Sequence, residues 1–306
     1  MKAKILLFPL LYLLCNISFA QSEMFKVLAS KGINKASTNN VDWKPIKVGD
    51  KLTQQDKITL DENSYLALAH SSGKTIELKQ KGTYEVSKLS EELKAQNSGV
   101  SKKYVDFVVG EMTNQNEDIA KNRHKYMAVT GSVERGTEAS ISLLSPKETF
   151  VLSAPVLLKW SPIKDATGYV VVISNLFEET LITQESNETS AIVDLSKIKP
   201  AEQKNLLWSV YVKGKPSVKS SVNTLKFYPE AKSAELSKEV AELKKDLPQQ
   251  SALNKVVLAT FYEQNKLMLN AMENYEEATV MEPEVEDYKA LYGKFLQSNN
   301  IASAKQ

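Results

Sequence analysis

Few residues in this sequence are of the types that carry out chemistry. The chain has two histidines, His70 and His124, and one cysteine, Cys15, so a metal site of histidine and cysteine ligands is not expected. His70 precedes Ser71-Ser72, which places an imidazole beside two hydroxyls. Serines are common beside hairpin turns, and no Gly-x-Ser-x-Gly motif accompanies these, so we expect turn residues here. His124 lies in a charged, polar segment and is expected at the surface.

Two other segments have part of the composition of a ligand-binding loop. Residues 131–136, GSVERG, lack the Lys-Ser/Thr pair of a phosphate loop and are expected to form a turn that leads into a strand. An acidic cluster comprises Glu282, Glu284, Glu286 and Asp287. It lacks the central glycine of a calcium loop, and its position favours a role at the positive N-terminus of the last helix. We therefore expect no enzymatic activity, no metal and no cofactor.

The amino-acid composition indicates which classes of partner are expected. The 306 residues are 42% hydrophobic and 25% charged, which is enough apolar material for about two or three modest cores. The net charge of +2 is small, and lysine and glutamate alternate instead of forming a basic block, so nucleic-acid binding is not expected. We expect a protein or glycan partner whose identity the composition does not give.

The N-terminus has the pattern of a secretory leader. A short positive start precedes an apolar run over residues 5–14, and Ser18-Phe19-Ala20 provides a cleavage pattern before Gln21. The run is shorter than the ~20 residues of a spanning helix. Leu14 is a large residue before Cys15, so lipid attachment to that cysteine is not expected. The sequence predicts cleavage between Ala20 and Gln21 and a periplasmic mature chain without a transmembrane span.

The segment that follows the leader reads as a small antiparallel β domain. Leu66 and Leu68 share one face of a predicted strand, and Ile76 and Leu78 repeat the spacing after Ser72-Gly73. A hairpin with its tip near Gly73 is therefore predicted.

This β segment resembles the FecR-type periplasmic domain over most of residues 25–88. The matching positions are Gly49, Asp50, Leu52, Asp56, Ile58, Ser64, Gly73, Ile76 and Leu78. The resemblance implies a periplasmic sensory or binding domain, since that family is usually the outer part of a membrane-spanning regulator of a sigma factor. This chain shows no internal transmembrane or cytoplasmic segment, so direct sigma-factor control is not expected.

The middle of the chain contains a connector and a second β region. Helix is favoured on both sides of Ser98-Gly99, followed by a polar loop from 113 to 125. Strand alternation then returns over residues 132–228, in four sets that each share a face: Val156, Leu158 and Trp160; Tyr169, Val171 and Ile173; Ala191, Val193 and Leu195; Trp208, Val210 and Val212. Residues 145–228 loosely resemble a fibronectin type III-like sandwich, in which a tryptophan on an early strand packs under the facing sheet.

The C-terminus has the period of helices. Leu236, Val240, Leu243 and Leu247 form one stripe, which Ser233 is expected to cap and Pro248 to end. Residues 252–285 resemble a tetratricopeptide repeat at Leu258, Ala259, Tyr262, Ala271, Tyr275, Ala278 and Pro283. Lys255 stands where an aromatic residue is usual. Because one repeat cannot bury its faces alone, helices over 233–247 and 285–296 are expected to flank it.

The predicted fold class is multidomain β plus α. The predicted parts are a leader (1–20), a FecR-like β domain (21–89), a helical and polar connector (90–131), a fibronectin type III-like sandwich (132–228) and a helical domain (229–306). The function favoured is that of a non-catalytic, exported envelope protein that binds or scaffolds other proteins, with docking or self-association through the helical edge. The helices could instead only pack on the sandwich.

Two other functions stay open. One is a periplasmic sensory component of a FecR-like signalling system. The other is a glycan-binding or glycan-active protein, which would need exposed aromatics such as Trp43, Trp160 or Trp208, although strand phase predicts that Trp160 and Trp208 belong to the core.

Overall fold

The computed structural model of the chain describes residues 22–93, 99–113, 126, 140–152, 155–200, 202–247 and 250–301. Within them, antiparallel sheets come first and a cluster of helices follows at the C-terminus. The predicted class, multidomain β plus α, is therefore confirmed.

The N-terminal β unit consists of two four-stranded sheets and a short helix. Its strands are β1 (Glu23–Lys31), β2 (Asn34–Ser37), β3 (Lys44–Pro45), β4 (Lys51–Thr53), β5 (Lys57–Leu60), β6 (Tyr65–His70), β7 (Thr75–Leu78) and β8 (Gly82–Glu85), and helix α1 (Val86–Glu92) follows. One sheet has the order β4-β1-β6-β7 and the other β3-β2-β5-β8. An apolar core that includes Phe25, Ile58 and Leu66 belongs to this unit.

The predicted hairpin at Gly73 is present between β6 and β7. Leu66 pairs with Leu78 and Leu68 with Ile76, as the alternation indicated. Gly73 has φ +87°, a conformation that glycine adopts without strain. A Cβ at this glycine would also overlap the backbone of Lys102, so the turn lies directly against helix α2 (Gly99–Thr113).

Strands β1 and β6 are buried on both faces. One face belongs to the core of the β unit, whereas the other carries Leu28, Ala29, Tyr65, Ala67 and Ala69. Those five residues share a second core with helix α2 and the C-terminal helices. The run YLALAH of β6 is continuously apolar up to its last residue because each of its faces has a layer to pack against.

The middle unit is a β-sandwich with unequal sheets. Its strands are β9 (Glu148–Val151), β10 (Val156–Lys159), β11 (Tyr169–Ser174), β12 (Thr180–Ser186), β13 (Ser190–Val193), β14 (Asn205–Val212), β15 (Lys215–Lys219) and β16 (Asn223–Phe227). The larger sheet has the order β12-β11-β14-β16-β9, with β15 beside β14, and β10 pairs with β13 in the smaller one. The four predicted sets of alternating residues are all buried, so these predictions are confirmed.

The C-terminal helices are α3 (Glu230–Asp246), α4 (Ala252–Gln264), α5 (Met268–Met281) and α6 (Glu286–Ser298). The two helices predicted to flank the repeat-like segment, one before Pro248 and one over 285–296, are confirmed. The predicted cap at Ser233 is wrong, because α3 begins one turn earlier, directly after Pro229, and has no side-chain cap. Proline is compatible with the first positions of a helix, where a missing N–H costs nothing.

Helices α2 to α6 form one body that packs against both β units. Towards the N-terminal unit, Tyr288 of α6 meets Tyr65 of β6, with 2.7 Å between their hydroxyl oxygens. Towards the sandwich, Leu269 of α5 lies in the sandwich core, and the N–H of Met268 donates to Thr149 Oγ at 2.9 Å. The repeat-like pair α4 and α5 is thus covered by β strands and α2 as well as by α3 and α6.

Candidate functional site

The positions that resemble the FecR-type domain stabilise turns and the apolar core of the N-terminal β unit. Asp50 accepts the N–H of Lys47 at 2.7 Å, and Asp56 accepts the N–H of Thr53 at 2.6 Å. Gly49 has φ +93° in the turn before Asp50. The hydroxyl of Ser64 accepts the N–H of a neighbouring turn, and the apolar positions Leu52, Ile58, Ile76 and Leu78 belong to the core of the unit. The structure therefore spreads these residues over the unit and does not gather them into a site.

The repeat-like positions are brought together in the interior. Six of them are buried: Leu258, Ala259, Tyr262, Ala271, Tyr275 and Ala278. Pro283 is exposed and follows the end of α5. Of the acidic cluster, Glu286 and Asp287 lie in the first turn of α6, as predicted. Glu282 and Glu284 instead form ion pairs with Lys79 and Lys31 of the N-terminal unit, a contact that only the packing of the two units creates.

His70 sits between two hydroxyls at the end of β6. Its Nδ1 accepts the N–H of Ser72 at 3.1 Å and lies 2.7 Å from the hydroxyl of that serine, while Nε2 lies 2.9 Å from Ser90 Oγ. Burial, and secondarily the ammonium of Lys74, lowers the pKa of His70. Among the described residues no carboxylate bonds to this ring, so the third group that orients a catalytic base is missing. The geometry is that of a turn.

A hairpin tip on the sandwich carries Phe177, the most exposed large apolar side chain among the described residues. Residues 175–179, the β11–β12 tip, connect β11 to β12, and Leu176 and Phe177 are 57% and 86% exposed there. The sequence patterns discussed above did not predict this site. The residues Leu-Phe between two strand patterns could have indicated it, because a turn normally carries polar side chains.

The β11–β12 tip is held in one conformation by Asn175. This residue is buried, and its Oδ1 accepts the N–H groups of Phe177 (2.9 Å) and Glu179 (3.0 Å). Its amide also donates to the Glu179 carboxylate at 2.6 Å. Glu178 has φ +63°, which completes a tight turn. Leu176 and Phe177 are therefore displayed by an ordered loop and not by a loose one.

A second feature is a cleft of about 170 Å³ where helices α2, α4, α5 and α6 meet. Glu263 of α4 lies in it and accepts a hydrogen bond from the hydroxyl of Tyr275 at 2.8 Å. Burial raises the pKa of Glu263, and the carboxylate of Glu111 adds to that rise. Glu111 of α2 is itself bonded to Lys294 of α6 at 2.6 Å. No sequence pattern predicted this cleft, because its walls come from helices that are far apart in the chain.

The tryptophans do not form a common platform for a sugar. Trp160 and Trp208 are each 1% exposed in the sandwich core, as their strand phase predicted, and Trp43 is partly buried in the N-terminal unit. Across the described ranges, no group of three or more histidine, cysteine or acidic side chains is placed to hold a metal ion. Within those same parts of the chain, no helix has both the length and the apolar character needed to cross a bilayer.

Some predicted positions lie outside the described residues. They are Ala20 and Gln21 of the predicted cleavage site, Cys15, His124 and residues 131–136. Comparison with known proteins adds no assignment: no protein-family model matches the chain, and no curated protein matches it.

Proposed function

We propose that this chain is a non-catalytic protein of the bacterial envelope, exported through its cleaved leader, that holds two β units in a fixed arrangement and binds another protein. The observation that carries the proposal is the β11–β12 tip, in which a buried asparagine orders a turn that displays Leu176 and Phe177 to solvent. An ordered apolar projection loses little conformational entropy on binding, because the turn is already ordered in the free chain.

The packing of the helices supports the scaffolding part of the proposal. One apolar core runs from β1 and β6 through α2 to the C-terminal helices, and Leu269 extends the contact into the sandwich. Two separate β units joined only by linkers would move independently. Here the helices act as a spacer between them, so the tip stands at a set position relative to the FecR-like unit. The FecR-like, fibronectin type III-like and repeat-like resemblances remain part of this proposal.

The charge around the tip favours a protein over a lipid surface. Glu178 and Glu179 directly follow the two apolar residues in the sequence, and carboxylates are repelled by anionic membranes. A pocket with apolar walls and a basic rim is the complement that this tip requires.

The first experiment is photo-crosslinking in intact bacterial cells with a benzophenone side chain at position 177. The second is a pull-down that compares the native chain with the double variant Leu176→Ser and Phe177→Ser. The matched control is Val222→Ser, since Val222 is also on the sandwich and is 56% exposed. We expect one discrete crosslinked protein, which the double variant no longer retains and the control does. Equal retention by the double variant and the control would refute a binding role for the tip.

A further inference from the structure

The cleft between α2, α4, α5 and α6 combines apolar walls with an incompletely satisfied carboxylate. Phe107, Val256 and Leu291 contribute apolar surface, and Thr260, Glu263 and Tyr275 contribute polar atoms. Among the described residues, the Tyr275 hydroxyl is the only hydrogen-bond donor to the Glu263 carboxylate. An ionised carboxylate has about four acceptor positions, so the part of the chain that the structure describes uses only a fraction of this capacity.

Within the described parts of the chain, the charges that line the cleft are two carboxylates and one ammonium. Lys294 is committed to Glu111 at 2.6 Å. Lys266 influences Glu263 only as a more distant charge and is itself exposed. Two carboxylates therefore stand against one ammonium in the wall of the cleft. A buried carboxylate in this position gains most from a ligand that brings a positive charge and N–H donors.

The size of the cleft sets the size of the ligand. Its volume is about 170 Å³, and a protein cavity of roughly 150 Å³ is known to hold a benzene molecule. A straight chain of four carbons and one nitrogen has fewer heavy atoms than benzene and fits this space. The apolar stem would lie along Phe107 and Leu291, and the charged end would reach Glu263 beside Tyr275 and Thr260.

We propose that this cleft binds an aliphatic primary ammonium group, with Glu263 as its counter-ion. Two sources have this chemistry: a small free amine and the lysine side chain of another protein. Binding forms no covalent bond between the amine and the protein. The ammonium donates to the Glu263 carboxylate, and any proton that Glu263 carries in the empty cleft is released to solvent.

The test uses the full mature chain and follows amide chemical shifts of α4 and α6 during titration. The charged probe is n-butylammonium, and 1-butanol is the neutral probe with the same number of heavy atoms. We expect saturable shifts with butylammonium and at least about tenfold weaker binding of butanol, since butanol lacks the positive charge that strengthens a hydrogen bond to a carboxylate. Equal binding of the two probes, or no saturable shift with butylammonium, would overturn the proposal.

Substitutions locate the interaction. Glu263→Gln can still accept the Tyr275 hydrogen bond, so the fold is expected to persist while butylammonium affinity falls about tenfold. The matched control is Glu273→Gln on α5: Glu273 is also partly buried, and its pKa is also raised by burial, but it faces a different cleft beside Ile192. Loss of affinity in both variants, or in neither, would show that Glu263 is not the counter-ion.

The pH dependence and a second pair of probes complete the design. Glu111, Tyr275, Lys294 and Lys266 are the titratable groups that act on Glu263. Burial raises the pKa of Glu263, so affinity should rise with pH as this carboxylate ionises. Nα-acetyl-lysine N-methylamide is then compared with butylammonium. Much tighter binding of the lysine derivative identifies a polypeptide source, and equal binding identifies a free amine. Neither result depends on the β11–β12 tip.

Discussion

Tyr288 offers a direct test of whether the N-terminal β unit and the helices unfold together. Tyr288 of α6 and Tyr65 of β6 are 1% and 2% exposed, and their rings meet edge to face with centroids 6.2 Å apart. The substitution Tyr288→Ala removes a buried aromatic ring, which costs about 3–5 kcal/mol. It also leaves the Tyr65 hydroxyl without that partner, which adds about 1 kcal/mol or more.

The two terms together give an expected loss of at least about 4 kcal/mol, which corresponds to roughly a thousandfold change or more in the unfolding equilibrium, at about 1.4 kcal/mol for each factor of ten. Hydrogen exchange measured by mass spectrometry reports this change separately for each element. We expect the slowest amides of β6 to exchange roughly a thousandfold faster in Tyr288→Ala, although the substitution lies in another unit. Tyr288→Phe should accelerate this exchange by less than about tenfold, because it removes the hydroxyl alone, which contributes about 1 kcal/mol.

The control is Gln297→Ala, an exposed position on the same helix, which should leave exchange in β6 unchanged. The reasoning is refuted if Tyr288→Ala accelerates exchange in α6 while β6 amides keep their original rates. That result would mean that the shared core does not couple the two units.

Three further predictions concern stability. Gly293→Ala should destabilise the chain by more than about 1 kcal/mol, because a Cβ would overlap the backbone carbonyl of Tyr126. Gly110 instead faces open space in a helix, so Gly110→Ala should stabilise the chain by about 0.5–1 kcal/mol. Urea titrations measure both changes. The lowered pKa of His70 means that the unfolded chain binds this proton more readily. The stability that His70 contributes is therefore fully present above about pH 6.5, and it decreases as the pH falls towards the lowered pKa of the folded chain. His70→Gln should remove this pH dependence from the urea midpoints, and an unchanged pH dependence would contradict the assignment. Ser251 caps α4 through its hydroxyl, so Ser251→Ala should cost about 1 kcal/mol, and an unchanged thermal midpoint would show that the cap contributes nothing.

The sequence by itself determined the local structure of this protein. A glycine between two alternating segments identified the hairpin at Gly73. Glycine adopts the positive φ of this turn without strain, which few other residues do. Alternation with period two placed Trp160 and Trp208 in the sandwich core. Helical spacing identified α3 to α6, with Pro248 directly after the first of them. These features depend on neighbours within a few residues, and that is the distance over which a sequence pattern carries information.

The tertiary structure alone decided which surfaces are free. The sequence pattern identified the face of β6 that carries Leu66 and Leu68 as buried. The opposite face is buried because helix α2 and the C-terminal helices, which lie far away in the chain, pack on it. The same holds for Glu263, whose pKa is raised because burial and Glu111 of a distant helix act on it. A sequence pattern specifies the period of an element and not the identity of the layer that will cover it. Which carboxylate is buried, and which apolar tip remains in solvent, follows from long-range packing.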